Sequence, residues 1–100
     1  MYPVKLTAEV ATFIKNLELK MRTKVYKTLE LLKEFGPFLT EPHSKSITGT
    51  KKLRELRIKQ GSNIVRLFYF HHKNKTYIVT SGYIKKEIKP IKRKLRKLKK

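Results

Sequence analysis

The residues able to do chemistry in this chain are arginines, lysines and tyrosines rather than the usual nucleophiles. Arg57, Arg66, Tyr83, Lys85 and Lys86 fall within one stretch of β-type runs between Leu53 and Lys86. On the first run, Arg57 and Lys59 share a strand face with Glu55, while Leu56 and Ile58 turn toward a core. Arg66 is the one charge in the apolar run from Ile64 to Phe70, and Lys85 and Lys86 follow the third run. Such a set suits RNA cleavage without a metal, in which a ribose 2′-hydroxyl attacks the adjacent phosphorus and the protein stabilises the developing charge. The planar arginine fork donates two parallel hydrogen bonds to phosphate oxygens. Tyr83, His71 or a lysine could move the protons. Duller roles exist for each: Arg57 and Lys59 as solvent-face residues, Arg66 as the ion-pair partner of Glu55 or Glu87, and Tyr69 and His71 as packing residues. Burying an arginine charge without a partner is costly, which favours a functional reading of Arg66.

Other chemistries are excluded by inventory. The chain has no Cys and no Asp, three His and seven scattered Glu, so no cluster has metal-ligand spacing. His71 and His72 are neighbours on a strand and point to opposite faces. No nucleophile motif, Walker-type loop or dinucleotide-binding glycine pattern occurs, and no cofactor is expected.

Charge points to the partner. Twenty-six Lys and Arg against seven Glu give a formal net charge of +19 over 100 residues. A polyanion is the natural ligand, because displacing counterions from phosphates turns such charge into affinity. Lys51, Lys52, Arg54, Lys59, His71, Lys73, Lys89, Lys92 and Arg93 are the candidate RNA contacts around the cleavage set. An acidic protein partner stays open. An anionic membrane surface fits poorly, since no helix joins a broad apolar face to Trp or Phe anchors. No membrane span or signal-peptide core is present, so a cytoplasmic location is expected.

The elements that position these residues follow from periodicity. Runs at Leu53 to Lys59, Ile64 to His71 and Thr76 to Ile84, joined by short Gly- and Asn-containing turns, read as an antiparallel meander. Thr7 caps a helix with Val10, Phe13, Ile14 and Leu17 on one face; a second runs from about Lys20 to Phe35 and ends at Gly36-Pro37. The expectation is a single α+β domain over residues 1–100: a meander of three to four strands backed by an N-terminal helical hairpin, with residues 1–4 at most an edge strand and 38–52 a loop. Pro90 opens a short C-terminal helix with Ile91, Leu95 and Leu98 on one side, either a phosphate-binding arm or a solvated face.

The sequence resembles the RelE/ParE toxin superfamily, most closely its HigB-like, phage-derived branch. The resemblance rests on Leu29 to Pro37, Lys52 to Arg57, Ile64 to Phe70, and Gly82 to Lys86 with Pro90 after it. It implies a type II toxin that cleaves mRNA on the translating ribosome and is neutralised by a cognate antitoxin, commonly a helix-turn-helix protein, the pair binding operator DNA. Carried over by position, the phosphate-stabilising strand arginine falls on Arg66, a second arginine on Arg57, and the basic pair on Lys85 and Lys86. RelE itself carries Lys where this chain has Glu55 and Tyr where it has Ile91, so the resemblance assigns no general base or acid. ParE-like members inhibit gyrase without cutting RNA, which keeps a non-catalytic alternative, as does a plain basic RNA-binding protein.

Overall fold

Two tight turns organise the sheet. Gln60 and Asn63 face each other across Gly61-Ser62, and Gly61 takes φ +61°, the arrangement of a two-residue hairpin with glycine at its first turn position. The second turn runs from Lys73 to Thr76, closed by the Thr76 amide donating to the Lys73 carbonyl (3.2 Å), with Asn74 and Lys75 both at positive φ. These turns join Leu53–Gln60, Asn63–His71 and Tyr77–Lys86 as three antiparallel strands. The computed structural model describes residues 1–47 and 52–86.

Two short strands extend this meander. In chain order the strands are β1 (Val4–Leu6), β2 (Ser44–Ser46), β3 (Leu53–Gln60), β4 (Asn63–His71) and β5 (Tyr77–Lys86), and they form one sheet in the order β1-β5-β4-β3-β2. β1 runs parallel to β5, so the sheet is mixed; β2 is antiparallel to β3. The sheet therefore has five strands where periodicity gave three to four, and β2 lies inside the segment read as loop. The third strand also extends past Ile84 to take in Lys85 and Lys86, which are its last two residues rather than a turn beyond it.

Both helices lie on the same side of this sheet. In α1 (Ala8–Lys15) the Thr7 hydroxyl accepts from the Val10 amide at 3.2 Å and donates to the Thr80 carbonyl, so one side chain caps the helix and ties it to β5. α2 (Leu19–Phe35) buries Met21, Val25, Leu29 and Leu32, and Gly36 ends it at φ +51°. The core forms where these stripes meet Leu56, Val65, Leu67 and Val79. Each fully buried Val or Leu contributes roughly 1.5–3 kcal/mol relative to exposure. Tyr2 lies across Gly36 so closely that a Cβ there would stand 2.6 Å from its ring.

No helix among the described residues covers the other sheet face. Ile64, Arg66, Phe68 and Phe70 are only half-buried there, so β4 is not enclosed on both sides as its continuous apolar run suggests. Between Phe68 and Tyr69 the register shifts: Phe68 pairs with Ser81 but Tyr69 with Val79, leaving Thr80 as a bulge. Lys51, Lys89, Lys92, Arg93 and the helix expected from Pro90 lie outside the described residues, as does the side chain of Lys86.

Candidate active site on the open sheet face

One cross-strand row carries the site. Arg57 on β3 stands opposite Arg66 on β4, and Arg66 opposite Tyr83 on β5, so three residues 26 positions apart in sequence become lateral neighbours on the face the helices leave open. One Arg66 Nη donates to the Tyr83 hydroxyl at 3.3 Å, and its guanidinium carbon sits 6.0 Å from the Tyr83 ring centroid. Phe68 stacks on the same ring, centroids 5.7 Å apart at 26°, which holds the phenol in place. The next row brings Lys59, Ile64 and Lys85 together in register.

Glu55, read from the sequence as an ion-pair partner of Arg66 and a face-mate of Arg57, stands at the centre of this cluster. Glu55 is buried, with 7% of its side chain exposed, and its two oxygens face the two arginines: Oε1 lies 3.7 Å from Arg57 Nε and Oε2 lies 4.0 Å from an Arg66 Nη. These contacts are ion pairs at the outer limit of reach and too long for hydrogen bonds. One carboxylate between two guanidiniums leaves the group net positive, and Arg66 Nε is buried with no hydrogen-bond acceptor among the described residues. The partly exposed Arg66 side chain, 21% accessible, and the exposed Tyr83 hydroxyl it donates to are the groups of this cluster open to an incoming phosphate oxygen. The signal for Glu55 lay in its alternation with Arg57 on the strand face.

The other expected contacts among the described residues are elsewhere. Arg54 alternates to the helix side of the sheet, where its Nε reaches Ser44 Oγ (3.1 Å) and Tyr69 Oη (3.3 Å) and one Nη reaches Ser46 Oγ (2.7 Å). It thereby pins the three-residue β2 to β3 and β4. Lys52, Arg54, His71 and Lys73 line a separate groove at the end of the sheet, apart from the Arg57–Arg66–Tyr83 row. His71 packs beside Tyr77, ring centroids 5.2 Å apart, and takes no part in the cluster. Burial, together with Tyr69 and Tyr2 nearby, raises the Tyr77 phenol above its ordinary value of 10.0, with Arg54 opposing the shift.

The model of the family described as "Phage derived protein Gp49-like (DUF891)" matches residues 12–100. The chain belongs to that family. Its fold is RelE-like. A double arginine-to-alanine mutant of the E. coli toxin RelE in the free state superposes with TM-score 0.63 at 16% identity, covering 91% of this chain and 87% of that one. RelE from the archaeal RelE–RelB complex of Pyrococcus horikoshii OT3 superposes with TM-score 0.58 at 21% identity, covering 81% and 91%. No curated protein matches the sequence significantly. The Gp49-like chain therefore shares the RelE architecture at an identity where site residues must be argued from their own geometry. No described helix is long and apolar enough to cross a membrane.

Proposed function

We propose that this Gp49-like chain is the toxin of a type II toxin–antitoxin pair, of the HigB-like kind, and that it cuts mRNA on the translating ribosome in the cytoplasm. The observation that carries the reading is the Arg57–Glu55–Arg66–Tyr83 cluster on the sheet face that no described helix covers, two guanidiniums around one carboxylate beside an exposed phenol. The RelE-like fold and family membership support it. Arg66 and Arg57 hold the non-bridging oxygens of the scissile phosphate. Glu55 takes the proton from the 2′-hydroxyl, whose oxygen then bonds to phosphorus. The bond from phosphorus to the 5′-oxygen breaks, and Tyr83 gives its proton to that leaving oxygen. The products are a 2′,3′-cyclic phosphate and a 5′-hydroxyl. Lys59, Lys85 and Lys86 hold the flanking backbone. The protein partner is a cognate antitoxin, as in the RelE–RelB complex of the archaeal relative, with helix-turn-helix character and operator binding through the pair.

Primer extension on transcripts after induction tests this reading: wild-type protein yields discrete cuts within translated codons. Arg66→Ala should lower the cleavage rate about a hundredfold or more, the scale of losing one transition-state donor. It should also keep its melting temperature within a few degrees, because the outer-limit contact with Glu55 contributes little. A folded Arg66→Ala variant that cuts at the wild-type rate would sink the assignment.

A further inference from the structure

The second groove, about 910 Å³ at the far end of the sheet, is lined by Lys52, Arg54, Lys73 and Lys75 together with the aromatic residues Phe70, His71 and His72. Among the described residues no carboxylate lines it, in contrast to the open-face cluster, where Glu55 stands between the arginines. The hydrogen bonds of Arg54 go to neutral hydroxyls, so its charge is oriented and, among the described residues, not neutralised. Both histidines are exposed. Cations that track a backbone, set beside rings that accept bases, are the two components of a single-strand binding surface.

The turn at its rim supplies an independent observation. Asn74 and Lys75 occupy the two central positions of the hairpin turn at φ +59° and +61°. Asn followed by Gly is the favoured pair there, and a lysine at the second position bears the left-handed penalty that glycine avoids. The fold would be more stable without Lys75, so its ammonium stands at the groove mouth against the preference of the turn.

We propose that this groove is a second nucleic-acid site that holds a single-stranded segment, with Lys73, Lys75, Lys52 and Arg54 on phosphates and His72 and Phe70 against bases. It is distinct from the cleavage centre. Three residue pairs along β4, about 10 Å at the usual strand rise, separate Arg66 from Tyr69; Arg54 and Tyr69 lie on the helix side of the sheet, while Phe70, in ring contact with His72, carries the groove round the strand end to the open face. The inference rests on the functional reading above only in taking RNA as the ligand.

The test uses full-length protein and a fluorescent single-stranded 2′-O-methyl RNA, which has no attacking hydroxyl, so binding is read whether or not the protein cuts. Lys75→Gly should raise the melting temperature by roughly 4 °C or more and weaken binding. It should also make the plot of log affinity against log salt shallower by about 0.7, one phosphate contact on a single strand. His72→Ala should weaken binding about fivefold or more with little change in that slope, the signature of lost stacking. Arg57→Ala/Arg66→Ala should lose affinity additively with Lys75→Gly, as separated sites do. Unchanged affinity and slope in Lys75→Gly overturn the proposal, as does wild-type protein that fails to bind. Equal displacement of the oligonucleotide by poly-glutamate of matched charge also overturns it, because an acidic protein would then fit as well. If wild-type protein cuts no mRNA yet Lys75→Gly shows the expected losses, the groove stands and the cleavage reading falls.

Discussion

Glu55 and Arg66 divide the open-face cluster between them, one able to receive a proton and one able to hold charge. Glu55→Gln keeps the shape and removes the proton acceptor, so cleavage should fall by about 10²–10⁴, the usual contribution of general-base catalysis, while thermal unfolding changes little. A Glu55→Gln protein cutting at the wild-type rate would move the base elsewhere. Arg66→Lys should recover only part of what Arg66→Ala loses, since an ammonium cannot offer two parallel donors. Arg66 was legible in the sequence as a lone charge in an apolar run. Glu55 was visible only as an ion-pair partner, because its burial depends on Phe68 standing opposite it on β4 and on Arg57 and Arg66 closing around it. The contacts with Phe68 and Arg66 cross from β3 to β4 and do not exist within a single strand.

At the scale of elements, α1 lies close over β5 because Gly82 has no side chain. A Cβ there would stand 2.5 Å from Leu67 Cδ2 and 3.1 Å from the Phe13 ring. Gly82→Ala should therefore cost about 1–3 kcal/mol by overpacking, read as a lower melting temperature, with the site residues themselves unchanged. The helices and β3 were legible because their periods of 3.6 and 2 are sustained over eight or more residues, and β4 and β5 because β-branched and aromatic runs are bounded by turn residues. β2 was not: Ser44-Lys45-Ser46 carries no strand signature, and the segment is held by Arg54 reaching its hydroxyls and by the buried contact between Ser44 and Tyr69. β1 was too short to read beyond a possible edge, and its parallel pairing with β5 follows from tertiary position. The aromatic group beside it titrates with the fold. Because folded Tyr77 binds its proton more tightly than the unfolded chain, its contribution to stability is complete below pH 10 and is lost as pH rises above it. Tyr77→Phe should flatten that alkaline decline in melting temperature.

At the scale of the molecule, a sheet whose described helices lie on one side is combined with a net charge of +19. A predominantly acidic or mixed-charge antitoxin would associate quickly at low salt, and raising ionic strength to physiological values should slow association several-fold, since steering is screened over about 8–10 Å. An unchanged association rate would mean that contact surfaces alone govern the encounter. One residue also sets the relation between the two sides of the sheet. Tyr77, Val79, Ser81 and Tyr83 are spaced as same-face residues, yet Tyr77 and Val79 are buried while Tyr83 is exposed beside Arg66. Thr80 makes the difference by inserting an unpaired position between the two halves of β5. The strand is thus written in two reading phases, one addressed to the core and one to the substrate. Deleting Thr80 would merge them, leaving the chain to keep either its hydrophobic core or Tyr83 beside Arg66, but not both.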